Sequence, residues 1–390
     1  MGWKETSRVS ERQEFVTLAN HPNTNLTALC ERFGISRKTG YKWLARYREG
    51  GKEALRDQSR TPKSSPIQTR ENVEKTVLEI RDAHPAWGGR KIRARMIALK
   101  CESIPAASTV TAILRRNNRI LPEASEKSKP WQSFERPKPN DLWQMDFKGE
   151  FRMVDGKYCY PLTVLDDHSR YSVGLVACKG QTFLEVQTHL TAVFRRYGLP
   201  KAFYVDNGNP WGSIGSPGGN TRLTAWLMRL DVKTIHGRPY HPQGRGKDER
   251  FHRTLNAECL QQRHIDNMLH AQERFDPFRS MYNHERPHES LDNAVPASRY
   301  AMSCRSFPEE IPAFEYSERF DIRRTNKVGQ FSFHGRQFKT SEAFQKDTIG
   351  LAPTTQDSVW EVYYRHFPIG LIDFNDERSR LLHKQQKSNK

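Results

Sequence analysis

Trp143-Gln144-Met145-Asp146-Phe147 sets one carboxylate inside a run that otherwise reads as a buried strand. Asp is poorly suited to a strand interior, and a buried carboxylate has to be paired or bound to a cation. Two further acids stand in comparable contexts. Asp206 closes the short apolar run Phe203-Tyr204-Val205 and precedes the turn pair Asn207-Gly208. Glu249 opens a helix in Gly246-Lys247-Asp248-Glu249-Arg250-Phe251-His252-Arg253-Thr254-Leu255. At about 100° per residue, Phe251, Leu255 and Cys259 make one apolar face there, while Glu249, Arg253 and Asn256 gather on another. Asp248 falls nearer the apolar side, where it reads as a helix cap. Taken singly, each acid is as readily a satisfied turn or core residue.

The surroundings of Asp146 alternate as strands do. β-rich runs at 142–151, 158–165 and 171–178 are separated by Gly156 and by the turn Asp166-Asp167-His168-Ser169-Arg170, whose two acids read first as turn residues. A helix over 182–197, a strand at 202–206, a Gly-rich loop, a helix over 221–230, a strand at 232–235 and a helix from 247 follow. The order βββαβαβα predicts an α/β domain with a mixed five-stranded sheet and helices packed on it.

These segments resemble the catalytic core of DDE transposases of insertion sequences and of retroviral-type integrases. The resemblance is carried by Trp143 to Phe147, by Thr163-Val164-Leu165-Asp166-Asp167-His168-Ser169-Arg170, by Val205-Asp206-Asn207-Gly208, and by His241-Pro242-Gln243-Gly244 through Leu255. It implies an RNase H-like fold, catalytic and metal-binding roles for Asp146, Asp206 and Glu249, and two Mg²⁺ ions per active site, with Mn²⁺ as a substitute. It also implies hydrolysis at each element end followed by attack of the freed 3′-hydroxyl on target DNA, with no covalent enzyme intermediate. Hard divalent ions call for such oxygen ligands. Two departures stand out. The second and third acids are separated by 42 intervening residues, with a Gly-rich insertion at 210–220, and Asn256 occupies a position where the family often has a basic residue, so the DNA contact passes to Arg253. The Cys and His pattern of the zinc module found in retroviral integrases is absent, and no structural zinc is expected. His168, His236, His241 and His252 lack paired ligand spacing and read as packing or DNA-touching residues.

Upstream, residues 9–20, 26–33 and 37–49 read as three short helices. Gly34 ends the second where a left-handed backbone costs least, and Ser36 caps the third. This is helix-turn-helix punctuation, and the third helix presents Arg37, Lys38, Thr39, Tyr41 and Lys42 to bases and phosphates. The linker that follows offers Arg56, Arg60 and Lys63 among Gly, Ser and Pro. Helices at 71–83, 90–100 and 108–117, with Ser108 as the last one's cap, form a second, looser helix-turn-helix with Arg115 and Arg116 near its end. Downstream, alternation at 329–339, 348–353 and 359–364 predicts a small β-barrel whose core includes Phe331, Phe333, Phe338 and Trp360. The chain therefore divides into a DNA-binding domain (1–50), a basic linker (51–68), a second helix-turn-helix-like domain (69–118), a linker (119–139), the catalytic core (140–302), the small β-barrel (312–376) and a basic tail (377–390).

Charge agrees with a polyanionic partner. The net charge is +18, and residues 1–139 hold 28 Lys and Arg against 15 Asp and Glu, leaving 35 against 30 in the rest. Six scattered cysteines with no CxxC pair signal neither a disulfide framework nor a thiolate zinc site. No run of apolar residues is long enough to span a bilayer, and the polar start is not a secretory signal. The expectation is a cytoplasmic, nucleoid-associated protein that binds double-stranded DNA, both element terminal repeats and target. Moving an element requires two ends to be joined, so a homodimer or higher oligomer on DNA is expected. The competing readings are a DNA-binding regulator with an inactive RNase H-like domain and a ribonuclease of the same fold.

Overall fold

The structure is a computed structural model that describes residues 8–57, 69–120, 135–212, 219–237, 246–261, 264–376 and 381–382. Arg60, Lys63, the segment 241–245 and the basic tail beyond 382 lie outside the described residues. The chain forms two compact units, residues 1–68 and 69–390.

In the first unit, α1 (Arg8–Ala19), α2 (Leu26–Arg32) and α3 (Arg37–Gly50) close over Phe15, Val16, Leu29, Cys30, Trp43, Leu44 and Leu55. Asn25 caps α2 by accepting from the Thr27 and Ala28 amides, and Ser36 caps α3 by accepting from Thr39. Gly34 adopts a φ of 63°, as the helix-turn-helix punctuation requires. At Gly40 the helices approach so closely that a Cβ would lie 2.7 Å from Cys30 Sγ and 3.0 Å from Phe15 Cζ.

In the second unit, α4 (Glu71–Ala83), α5 (Gly89–Ala98) and α6 (Ala107–Arg116) pack around Val77, Trp87, Ile92, Val110 and Ile113. Ser108 is not the cap of α6. Ala106 occupies that position without a side-chain bond, so the helix starts upstream of the hydroxyl and takes Ser108 into its first turn. This helical group is seated on the α/β core: Met281 packs into its cluster and Arg95 donates to Glu285 at 2.6 Å.

The core sheet runs β4 (Ser172–Cys178), β3 (Tyr158–Asp166), β1 (Trp143–Phe147), β5 (Ala202–Val205), β6 (Lys233–His236), with the short β2 (Phe151–Arg152) pairing the start of β3. The β4, β3 and β1 strands are antiparallel neighbours, whereas β1, β5 and β6 run parallel. This is the mixed sheet expected of an RNase H-like core. Because successive strand residues face opposite sides, Trp143, Met145, Leu162, Val164, Phe203 and Val205 point into one cluster with α7 (Phe183–Tyr197) and α8 (Arg222–Arg229). The other face is covered by α9 (Gly246–Leu255), a π turn at Asn256–Leu260, and α10 (Met268–His284).

The expected β-barrel takes the form of a four-stranded antiparallel sheet with a hairpin folded against it. The sheet order is β12 (Phe367–Asp373), β11 (Val359–Tyr364), β10 (Thr348–Pro353), β7 (Asp321–Arg324), and the hairpin is β8 (Gln330–Phe333) with β9 (Arg336–Lys339). Phe331, Phe333 and Phe338 are buried in its core, with Trp360 packed against it. Ala225 and Met228 of α8 join that same cluster, and Arg229 Nε donates to Tyr364 Oη at 2.7 Å. The β module is therefore anchored on a helix of the core. Among the described residues, no helix is long and apolar enough to cross a membrane.

Candidate active site

Strand periodicity puts the first two acids on one face. Val205 and Phe203 point to the α7 and α8 side, so Tyr204 and Asp206 point to the α9 side, as do Gln144 and Asp146. The parallel register Trp143 to Phe203 and Gln144 to Tyr204 runs β1 beside β5, with Asp146 two residues past the last paired residue of β1 and Asp206 two past that of β5. Asp146 and Asp206 are half-buried. Glu249 is exposed in the first turn of α9, the helix that covers this face. The expected apolar face of α9 is present: Phe251, Leu255 and Cys259 are all buried.

Each Asp is held by its own backbone surroundings. Asp146 Oδ1 accepts from the Phe147 amide at 2.9 Å, and Asp206 Oδ1 accepts from the Gly208 amide at 2.9 Å. Two main-chain carbonyls are also secured. Thr163, directly opposite Asp146 in β3, donates its hydroxyl to the Asp146 carbonyl at 3.0 Å and lies 2.8 Å from His252 Nε2. His236 Nδ1 lies 3.0 Å from the Asp206 carbonyl, which can only accept, so that ring nitrogen carries the proton. Burial pulls the His236 imidazole below its usual range, in favour of the uncharged ring.

The start of α9 is fastened from below. Lys247 Nζ donates to the Asp167 carboxylate and, at 3.0 Å, to its carbonyl. Burial brings the Lys247 ammonium down to about 8 against the opposing pull of Asp167. The Asp167 carboxylate also accepts from Gln144 Nε2 and the Arg136 amide, both at 2.7 Å. Asp166 accepts from the Asn140 amide at 2.7 Å and from the Ser169 amide and hydroxyl at 2.8 and 2.6 Å. Burial raises its carboxyl above the ordinary value despite those bonds. These two acids are structural, as turn residues should be. Glu258 is likewise committed elsewhere: it is buried against Arg286, 3.1 Å away, and accepts from Trp87 Nε1 at 3.4 Å.

The residues expected to contact DNA fall into different settings. Arg37, Lys38, Tyr41 and Lys42 are exposed along α3, with Lys42 Nζ 5.4 Å from the Trp43 ring centre. Thr39 is half-buried and bonded to Ser36, so it serves the cap. Arg56 is exposed and pairs with Glu53 at 3.2 Å. Arg115 is exposed, whereas Arg116 is bonded to Glu74 through two nitrogens and ties α6 to α4. Arg253 is exposed one turn after Glu249. His168 bonds the Arg136 carbonyl at 2.9 Å, and with His236 and His252 it has a packing role rather than an open surface.

Sequence reading missed Thr163, His236, His252, Lys247 and Asp167 as supports of the site. Two of them left a signal: Thr163 is the one hydroxyl in the run Leu162-Thr163-Val164-Leu165, and His252 stands three residues after Glu249, on the same face of the helix. For metals, three carboxylates offer hard oxygen donors suited to Mg²⁺. Separately, Cys178, Glu185 and His189 each bring one ligand atom within 4.8 Å of the others, although burial pushes the Cys178 thiol up to about 12.

Comparison with known families agrees with this domain order. Residues 136–242 and 230–296 match integrase core domains, 11–63 a helix-turn-helix domain, 39–114 a homeodomain-like domain, and 321–380 the C-terminal domain of IS481 family transposases. An uncharacterized 31.7 kDa protein of insertion element IS407 from Burkholderia multivorans is 28% identical over 177 residues, covering 45% of this chain and 61% of the relative. The uncharacterized 39.2 kDa protein of insertion element IS476 from Xanthomonas euvesicatoria is 29% identical over 170 residues, covering 43% and 46%. The chain thus spans about half the length of these relatives. A chain of the simian T-cell lymphotropic virus intasome, solved with the PP2A regulatory subunit B56 gamma, aligns at 13% identity over 76% of this chain and 98% of its own length, with a TM-score of 0.35. The chain carries helix-turn-helix domains, an integrase core and an insertion-sequence transposase C-terminal domain, and so resembles integrase-like transposases of insertion sequences.

Proposed function

We propose that this chain is a DDE transposase that binds the terminal repeats of an insertion sequence and cuts and joins DNA with a divalent metal. The arrangement that supports the reading best is that Asp146 lies in β1 and Asp206 directly follows its parallel neighbour β5, while Glu249 lies in the first turn of α9, the helix that covers one face of that sheet. Asp146, Asp206 and Glu249 would hold two Mg²⁺ or Mn²⁺ ions, and such ions would supply activation of the attacking oxygen and offset charge on the leaving one. The chain's own part is positioning. The sheet fixes the first two carboxylates, Lys247 and Asp167 fasten the helix that bears the third, and the exposed cations of α3, with Arg56, Arg60, Lys63, Arg115 and Arg253, hold the phosphates of double-stranded DNA. Arg116 serves the fold first. The division into seven segments and a dimer or higher oligomer on two DNA ends belong to the same proposal.

The test is strand transfer by Asp146→Asn, Asp206→Asn and Glu249→Gln proteins on DNA carrying the element ends, with Mg²⁺ present. Each is expected to abolish cleavage and joining while end binding stays within about twofold, because each removes an anionic ligand and leaves the DNA readers alone. Strand transfer retained by any of the three removes that residue from the set. A wild-type chain that binds ends but never cuts would favour the regulator.

A further inference from the structure

We infer that His252 is a positioning residue that sets the height of α9 against Asp146 through the Thr163 hydroxyl; this rests on the proposed metal site. A threonine hydroxyl has one proton. Thr163 Oγ1 gives that proton to the Asp146 carbonyl, 3.0 Å away. Toward His252 Nε2, 2.8 Å away, Oγ1 can therefore act only as acceptor, and Nε2 carries the hydrogen. The result is a directional chain, Nε2–H to Oγ1–H to O=C, running from the covering helix through β3 to the backbone of the first acid in β1.

The placement gives this chain its effect. Asp146 and Thr163 are direct cross-strand partners, and both side chains face α9. His252 sits three residues after Glu249, just under one helical turn, so the two share a face of α9. Phe251 and Leu255 anchor the helix by apolar burial, which resists lifting but tolerates small slides along its axis. The hydrogen-bonded chain supplies the missing directional restraint. It registers the helix bearing Glu249 at the level of Asp146, without either histidine nitrogen being asked to bind metal. His236 performs the matching task for the second acid by donating to the Asp206 carbonyl at 3.0 Å.

The experiment compares full-length wild type with His252→Leu, His252→Gln, Thr163→Val and the double variant His252→Leu/Thr163→Val, with Asp146→Asn as reference. Mn²⁺ binding is followed by the loss of its free-ion EPR signal, and α9 amide exchange by mass spectrometry. Outer partners of metal ligands are typically worth ten- to a hundredfold in affinity. His252→Leu and Thr163→Val should each weaken Mn²⁺ binding about tenfold or more, with faster exchange in α9. The double variant should lose no more than either alone, since both cut the same chain. His252→Gln, whose amide nitrogen reaches as far and also donates, should stay within about threefold of wild type. Wild-type affinity in His252→Leu, or a Gln variant no better than Leu, overturns the inference. Unchanged Mn²⁺ binding by Asp146→Asn instead overturns the metal site itself.

Discussion

Lys247, in the first turn of α9, reaches 80 residues back to the turn after β3 and donates to both the carboxylate and the carbonyl of Asp167. The Lys247 side chain is 11% exposed and that of Asp167 fully buried. A charge pair so enclosed adds little over an apolar pair, but removing one partner strands the other. Its worth is therefore in fixing where the helix begins, two residues before Glu249.

Lys247→Met should cost about 3 kcal/mol, the lower end for a broken buried pair, because Gln144 and the Arg136 amide still serve Asp167. Urea unfolding gives the stability and amide exchange over 246–250 gives the fraying. Lys247→Met/Asp167→Asn should recover part of the loss. A single variant as stable as wild type would remove the pair from the account of how α9 is placed.

Acid sensitivity should trace in part to His288. This imidazole is buried, its Nε2 has no hydrogen-bond partner among the described residues, and its ring meets Tyr282 edge-on at 4.7 Å. Burial, aided by Arg286 and Lys91, holds it down to about 3 from an ordinary 6.5. The folded value lies below the unfolded one, so the unfolded chain takes the proton first. The stability this group contributes is complete above about pH 6.5 and is lost as pH falls toward 3, at about 1.4 kcal/mol per unit. His288→Leu should flatten the decline in urea midpoint between pH 6.5 and 5 relative to wild type; parallel curves would contradict it.

The close approach at Gly40 should control α3. A methyl group there would sit 2.7 Å from Cys30 Sγ, so Gly40→Ala should destabilise the first unit by about 1–3 kcal/mol through overpacking. Cys30→Ala in the same chain opens the space and should restore part of the loss. Amide exchange in α3 reads the effect, and simple additivity of the two changes would show that the crowding is not what matters.

The exposed and the committed arginines should behave differently on DNA. Arg37→Ala or Tyr41→Ala is expected to reduce discrimination between element ends and random DNA by about 1–3 kcal/mol for each base-edge interaction removed. Arg115→Ala should weaken both alike and lower the salt slope by about one. Arg116→Ala should leave the salt slope unchanged and instead lower stability by up to about 1 kcal/mol, since it breaks the pair with Glu74 at a partly exposed site. Binding isotherms at several salt concentrations separate these cases, and a salt-slope change for Arg116→Ala equal to that for Arg115→Ala would return Arg116 to the DNA surface.

Local pattern is enough for much of this molecule. The period of two around Asp146, the Asn207-Gly208 turn after Asp206, and the Phe251, Leu255, Cys259 stripe of α9 are legible because each depends on residues within a few positions of one another. So is the α2–α3 punctuation at Gly34 and Ser36. The helix α10 is not, since its apolar residues are interleaved with charges and Pro277 lies inside it; burial against β4 and α9 holds it helical. The cap of α6 misleads because Ser108 has a capping side chain but lies inside the helix. The supports of the site are beyond any local reading: His252 meets Thr163 across 89 residues and Lys247 meets Asp167 across 80. Such pairs are set by strand register and by which face a helix covers, and those follow from the packing of the whole sheet. The sequence by itself determined which acids are chemically conspicuous and which elements bear them; only the tertiary structure decided which strands and helix stand next to one another around them, and which neighbours hold those elements in place.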